Sequence, residues 1–446
     1  MVVVGARCAG SPLATRLAEG GLSVALVDRA AFPSDTVSTH IFQAEGVAAL
    51  GRLGVMEQVR ATGAPWIERA SMRLDDVTVT VPWPTRPGDP GPQLCVRRSL
   101  LDAILVERAA AAGAVLHLGS RVTGLVTESG RALRSGHAGR TAGVRVHRSG
   151  GEGDDVELRA PLVVGADGRA STVGRLVGAR RYHVVPNQRF ACWGYYQDAR
   201  WERPASLVIE RWGTEFVVAC PADSGLYLVI VFPPLDRLGE FRADAEGAFA
   251  AAVARCPAVA DVVGGGRREG RLSPMASHPA FFRESCGPGW ALVGDAGHFK
   301  DPAPGQGISD ALRQADRLAA VVLGAWDDGL DAALRQWTRW RDADAFEMHW
   351  FATDMGRAGT VPLVLLEIVR GMLATPDGGG RMFDVFNHRN RPSEILTPVQ
   401  LARATARLLG AGAQPRRQVL EEVRDVVREE VRRRWLNRWP AYVAAG

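Results

Sequence analysis

The sequence predicts an α/β fold: a parallel-sheet domain that carries an inserted antiparallel sheet and ends in a helical C-terminal region. Three segments, taken in chain order, predict it. They are Val2-Val3-Val4-Gly5-Ala6-Arg7-Cys8-Ala9-Gly10 with Asp28 downstream, Val163-Val164-Gly165-Ala166-Asp167-Gly168-Arg169, and Ala291-Leu292-Val293-Gly294-Asp295-Ala296. Each places an apolar run directly before a glycine, the pattern of a strand buried on both faces that leads into a tight turn.

In the first segment Gly5 allows the turn, and Gly10 lets the following helix pack closely on its strand. That helix is expected from about Ser11 to Glu19, with Pro12 tolerated in the first turn and Gly20-Gly21 as the stop. Leu22 to Val27 reads as a second strand ending at Asp28, 23 residues after Gly5. A carboxylate there is placed to accept both hydroxyls of a ribose while the helix N-terminus faces a pyrophosphate, so a Rossmann-type unit is expected. Arg7 stands where the middle glycine of that pattern belongs. Its guanidinium is expected either on a phosphate or out in solvent.

Residues 81–93 hold five prolines and read as a loop. Ser99 is expected to cap a helix running through Ala112, Ala114 to Leu118 to form a strand, and 121–127, 141–148 and 155–160 to form a small meander. Arg189–Asp198, Ala205–Trp212, Glu215–Cys220 and Gly225–Phe232 read as antiparallel strands. Their aromatics (Trp193, Tyr195, Tyr196, Trp212, Phe216, Tyr227, Phe232) either fill a core or present a sheet face to a ligand. Gly264-Gly265-Gly266 follows no apolar strand, so no second dinucleotide fold is expected. After the third motif, residues 297–307 form a Pro- and Gly-rich loop entering a helix with Ile308, Leu312, Ala315, Leu318, Ala319 and Val322 on one face. Glycines before a helix N-terminus offer N–H donors to an anion or an electron-rich ring edge. Beyond about Leu330 the chain reads as helical. Gln418–Trp439 carries Val419, Val423, Val427 and Val431 on one side, with Arg432-Arg433-Arg434 as a solvated basic end.

The 446 residues suggest two or three domains. A net charge of +5 with dispersed basic residues gives no support for nucleic-acid binding. The first strand begins directly after Met1, so no leader is expected, and no apolar run reaches the roughly eighteen residues of a membrane span. The six cysteines lack metal or C-x-x-C spacing and read as reduced thiols, which makes a cytoplasmic protein without a bound metal the expectation. Lys300 is the only lysine in the chain, five residues after Asp295. A compact ammonium reaches places a guanidinium does not, so Lys300 is either a reacting-centre residue or an incidental loop residue.

The ordered set of motifs resembles the FAD-dependent monooxygenase superfamily typified by para-hydroxybenzoate hydroxylase, which also includes flavin halogenases and geranylgeranyl reductases. The resemblance covers about residues 1–330. Within it, Phe32–His40 and Gly294–Ile308 resemble a bacterial subgroup of oxidoreductases with loosely defined substrates. It implies an FAD-binding domain over 1–75, 95–180 and 272–330, a substrate domain over 76–94 and 181–271, and a C-terminal helical region over 331–446. It implies that Gly5, Arg7, Cys8, Ala9, Gly10, Asp28 and Arg29 surround the ADP half, that Arg98 meets the phosphate and ribityl region, and that Val122 meets adenine through its backbone. Asp167-Gly168 matches the motif associated with FAD and transient NAD(P)H binding, Asp295 would bind the ribityl or pyrophosphate oxygens, and Gly305, Gly307 and Ile308 would line the isoalloxazine ring. His40 and His298 are the histidines nearest the expected ring, as catalytic or as structural residues.

The implied reaction is oxygenation of a sizeable apolar or aromatic small molecule with NAD(P)H and O2 through a flavin hydroperoxide. A carbon–carbon double-bond reductase and a flavin-free binding protein are the alternatives. A halogenase is disfavoured, because Trp83 and Trp193 do not fall in a W-x-W-x-x-P pattern and Lys300 lies in the wrong segment. A second copy of the chain and a separate flavin reductase are the protein partners left open.

Overall fold

A computed structural model describes residues 1–128, 139–148 and 155–438. Trp439, expected to end the last helix, lies outside the described residues. The chain divides into two units, Met1–Ala64 with Val96–Pro186 and Pro279–Ala345, and Pro65–Cys95 with Asn187–His278 and Phe346–Gly446.

The first unit is built on a six-stranded sheet in the order Cys286–Gly287, Trp290–Leu292, Val163–Gly165, Val2–Val4, Ala25–Val27, Val115–His117. All neighbours run parallel except the Cys286–Gly287 edge, which is antiparallel. All three motifs therefore end strands that lie side by side, with Val2 opposite Val163 and Val163 opposite Trp290. Chain reversal by helices on the faces leaves both sides of these strands dry, which is why they read as unbroken apolar runs. Val2, Val4, Val163, Val173 and Leu292 share one core with Val122, Leu125, Val144 and Val146 of an antiparallel meander formed by Ser120–Thr127, Thr141–Arg148 and Val156–Arg159. Helix Gly10–Glu19 begins directly on Gly10, where an added Cβ would stand 1.7 Å from the Gly5 carbonyl oxygen. Helix Gly307–Gly324 buries Ile308, Leu312, Ala315, Leu318, Ala319 and Val322, the face the spacing indicates. The helix expected from Ser99 begins at Arg98 and ends at Ala111, with Arg97 as an N-cap that makes no side-chain capping bond.

The second unit centres on a seven-stranded sheet in the order Arg267–Met275, Ala191–Gln197, Tyr227–Val231, Glu215–Pro221, Ala205–Trp212, Ile67–Leu74, Val77–Pro82. Strand Ile67–Leu74, expected with the first unit, is hydrogen-bonded into this sheet, parallel to Ala205–Trp212 and with a register shift at Ala205/Ser206. One face packs on helices Ala245–Ala254 and Pro257–Val263 through Cys192, Val208, Val217, Ala219, Tyr227, Val229 and Val231. Alternation sends Trp193, Tyr195, Leu207, Ile209, Val218, Leu228 and Ile230 to the other face. The sheet aromatics are thus divided: Tyr227 and Tyr196 belong to the helix-covered core, while Trp193, Tyr195 and the stacked pair Phe216–Phe232 belong to the opposite face. Helices Leu363–Leu373, Gly378–Phe386, Pro398–Ala411 and Arg416–Arg438 complete this unit. The basic end of the last helix is not fully solvated. Arg433 forms a two-point ion pair with Asp354, at 2.7 Å for each bond, and its guanidinium lies 5.0 Å from the Trp350 ring centre. No helix of the described residues is long and apolar enough to cross a membrane.

Gly10→Ala tests the close approach at the first turn. Because the clashing atom is backbone, the helix must move off its strand, and thermal unfolding is expected to show a loss of about 2–4 kcal/mol.

Candidate functional site

The site on the first unit is built where its parallel strands end. Gly5 has φ +102°, and a Cβ there would meet the Ala166 carbonyl oxygen at 2.4 Å, so only glycine fits. The Asp28 carboxylate spans the next crossover: Oδ2 accepts from the Ala6 N–H at 2.7 Å and Oδ1 from the Ala30 N–H at 2.8 Å. Each oxygen keeps a lone pair for a sugar hydroxyl. Helix Gly10–Glu19 has neither a side-chain N-cap bond nor an acidic residue in its first turn, which leaves its dipole available to an anion.

Neither course expected for Arg7 is the one observed. Its Nη1 donates to Asp102 Oδ2 at 2.6 Å and its Nη2 to Ser34 Oγ at 2.9 Å, and the guanidinium lies 5.4 Å from the Phe32 ring centre. Asp102 is fully buried and also accepts from Arg98 Nε at 2.9 Å and from the Cys8 thiol at 3.4 Å. Burial and the neighbouring carboxylate together hold the Cys8 thiol far above its ordinary range. Arg98 is held charged: burial opposes its charge, but the Asp102 carboxylate outweighs it and raises its pKa. Asp102 carried no signal in the sequence beyond sitting one turn after Arg98.

His40 is buried with φ +60°, an uncommon conformation for a side chain other than glycine. Its N–H donates to Ser38 Oγ at 3.2 Å, its carbonyl accepts from the Val96 N–H at 3.0 Å, and its Nδ1 accepts from the Arg98 N–H at 3.1 Å. Burial, helped by Arg98 and Arg97, pushes its pKa down to about 3. The ring is neutral with the proton on Nε2.

Asp167 accepts from Ser171 Oγ and from the Thr172 and Val173 N–H groups at 2.6 and 3.1 Å, so it caps helix Thr172–Leu176. Gly168 beside it has φ +76° and open space where a Cβ would stand. Burial raises the Asp167 pKa. Asp295 follows strand Trp290–Leu292, and burial pushes it up to about 6, opposed by Arg98. His298 is buried, with its ring centre 4.4 Å from that of Phe282. Lys300 is buried: its Nζ lies 2.7 Å from Asp310 Oδ2 and donates to Gln306 Oε1 at 2.7 Å, tying the 300–306 loop to helix Gly307–Gly324. Burial lowers its pKa. Gln43, absent from the sequence-based candidates, is the other fastener of this loop. Its Nε2 donates to the Pro304 and Gly305 carbonyls at 3.2 and 3.1 Å, and its Oε1 accepts from Ser309 Oγ at 3.1 Å. Gly305 takes φ +67°, and Gly307 has nothing within 4 Å of a Cβ position. Val122 lies in strand Ser120–Thr127 and is buried. Arg29 is exposed beside Asp28.

These features fit a bound dinucleotide: an uncapped helix N-terminus, a carboxylate at the second strand end, a buried cation held charged at Arg98, and glycine backbone facing open space at Gly168 and Gly307. In the second unit the opposite face of the sheet carries a buried apolar row of Trp193, Ile230, Val218, Ile209 and Met72, each paired across strands with the next. Gln93 of that unit is fully buried with neither end of its carboxamide hydrogen-bonded among the described residues.

A family model described as FAD binding domain matches residues 1–341, and the chain belongs to that family. It is an FAD-dependent oxidoreductase of the superfamily that contains para-hydroxybenzoate hydroxylase-like monooxygenases, geranylgeranyl reductases and flavin halogenases. It is 30% identical over 355 residues to a menaquinone reductase of Mycolicibacterium smegmatis, covering 72% of this chain and 76% of the relative. It is also 30% identical over 333 residues to the 6-methylpretetramide 4-monooxygenase of Streptomyces rimosus, covering 70% and 72%. Among solved structures it is similar to the flavin-dependent brominase Bmp2, with a TM-score of 0.74, 17% identity and coverage of 92% of this chain and 98% of that one. That likeness concerns the fold.

Two predictions follow from the charges. Arg7→Gly restores the glycine pattern yet leaves buried Asp102 with one cation fewer, so stability is expected to fall by about 1–3 kcal/mol and FAD affinity to fall with it. Thermal melting and flavin-fluorescence titration check both. The folded-state pKa of Asp295 is raised, so its contribution to stability is present below the ordinary carboxylate range and is lost as pH rises through about 6. Flavin-stripped Asp295→Asn is therefore expected to melt above the parent protein at pH 8, with the gap closing towards pH 4.

Proposed function

We propose that this chain is a monooxygenase that uses FAD, NAD(P)H and O2 to hydroxylate or epoxidise a sizeable apolar or aromatic small molecule, of the kind modified in natural-product tailoring. The observation that carries the reading is the commitment of the titratable groups on the segments expected to flank the flavin ring. His40 is neutral with Nδ1 engaged, and Lys300 is locked onto Asp310 and Gln306. Reduction of a carbon–carbon double bond needs a side chain or water to deliver a proton to carbon, whereas oxygen transfer needs chiefly positioning and a dry site.

In this reading Gly5, Cys8, Ala9, Gly10, Asp28 and Arg29 hold the ADP half of the cofactor. Val122 meets its adenine through backbone, Arg98, Asp167, Gly168 and Asp295 hold its middle, and Gly305, Gly307 and Ile308 line its ring. When bound, FAD supplies the redox chemistry, accepting electrons from NAD(P)H and activating O2. Arg98 offers a fixed positive charge that Asp102 keeps in place. Lys300 and Gln43 act as positioning residues that fasten the 300–306 loop, and His40 positions the Arg98 backbone. The apolar row on the sheet favours a large flat or chain-like substrate and excludes water.

Reduction in place of oxygenation is the second reading, taken as reduction of a carbon–carbon double bond, because a relative named as a reductase matches this chain at the same 30% identity as the monooxygenase. The deciding experiment supplies FAD-loaded protein with NADPH or NADH, with 6-methylpretetramide and menaquinone as probes, under ¹⁸O₂ and under argon. Product carrying ¹⁸O, with none formed under argon, supports the monooxygenase. A saturated product formed equally well without oxygen overturns it in favour of the reductase.

A further inference from the structure

Helix Arg416–Arg438 has two dissimilar faces. Towards the body of its unit it buries Val419 and engages Arg433 with Asp354. On the other side Leu420, Val427, Val431 and Trp435 are exposed by 54%, 43%, 61% and 62%. At about 100° per residue these four fall within one narrow stripe roughly 22 Å long. Exposed Arg428 and Arg434 border the stripe, and exposed Arg417 and Arg424 lie within its angular span. The helix acids fall elsewhere: Glu422, Asp425 and Glu429 lie on the far side, and Glu421 and Glu430 lie at its margins, bonded to Arg417 at 2.9 Å and Arg434 at 2.7 Å. Arg424 reaches back to Asp425 at 3.2 Å, and Arg428 makes no ion pair among the described residues.

We infer that this face is a docking site for an anionic lipid surface, on which the helix lies in the plane of the interface. An apolar stripe with an indole at one end and arginines on and beside it suits the boundary between headgroups and acyl chains: the apolar side chains enter the acyl region and the long arginine side chains carry their guanidiniums up to phosphates. A second copy of the chain fits less well. A two-fold interface sets the same patch against itself and would bring the arginine borders together. The inference stands on the helix alone and survives either outcome of the redox test above.

The test floats the full-length, FAD-loaded chain with vesicles of phosphatidylcholine alone and of phosphatidylcholine with phosphatidylglycerol. Flotation is expected with the anionic vesicles only, and is expected to be weakened by salt. Val431→Asp, and separately Arg424→Glu combined with Arg428→Glu, are expected to weaken it by about tenfold or more. These positions are exposed, so flavin absorbance and melting temperature are expected to match the parent chain. No flotation with either vesicle, or equal flotation of parent and both variants, overturns the inference. A dimer in sedimentation without lipid that Val431→Asp converts to monomer also overturns it, because a second copy then covers the face.

Discussion

A single buried carboxylate organises the cofactor side of the first unit. Asp102 has no exposed side-chain surface and is shared by Arg7, Arg98 and the Cys8 thiol. Arg7 sits in the turn between the first strand and its helix and Arg98 begins another helix, while Arg7 also holds the Ser34 loop. Three segments far apart in sequence are thereby fastened to one anion. Removing Asp102 strands the Arg98 charge in a dry place, and removing an arginine leaves the buried carboxylate short of a cation; an uncompensated buried charge is far more costly than the intact cluster is favourable. The cluster therefore fixes geometry more than it adds stability.

The same logic recurs at the 300–306 loop. Lys300 is buried against Asp310 and Gln306, and Gln43 binds the Pro304 and Gly305 carbonyls. A Pro- and Gly-rich loop would otherwise sample many conformations. Two buried polar side chains, Lys300 of the loop itself and Gln43 from a segment distant in sequence, replace that freedom with fixed hydrogen bonds. The lone lysine is explained by this site: a compact ammonium meets one carboxylate and one amide oxygen where a planar guanidinium would need more room and more acceptors.

Much of this was legible in the sequence. Strands Val2–Val4, Val163–Gly165 and Trp290–Leu292 and the buried face of helix Gly307–Gly324 follow from local apolar runs and from helical spacing, which are short-range signals. The course of Arg7 was not legible, because its partner lies 95 residues away and nothing local marks it. Lys300 was singled out by composition, but Asp310 looks like any acid in a first helical turn. The parallel pairing of Ile67–Leu74 with Ala205–Trp212 depends on a contact between distant strands, and neither strand's own pattern announces it. The division of sheet aromatics between two faces follows from register, which the sequence leaves undetermined until the strands are aligned.

The polar groups around the cofactor side are largely satisfied by one another. Asp167 caps a helix, Asp28 holds two backbone amides, Lys300 and Gln43 secure a loop, and His40 accepts from the Arg98 amide. What remains on offer is backbone N–H groups, glycine-sized space, spare carboxylate lone pairs and one fixed cation. That inventory matches a ligand of constant chemistry, because backbone and shape recognise a phosphate or a flat ring without needing to vary between relatives. The sheet of the second unit is different in kind. Its buried row of Trp193, Ile230, Val218, Ile209 and Met72 is made only of side chains, and each can be exchanged without disturbing the strand hydrogen bonds that hold it. Relatives named for menaquinone and for 6-methylpretetramide are therefore expected to differ first in this row and last in the Asp102 cluster.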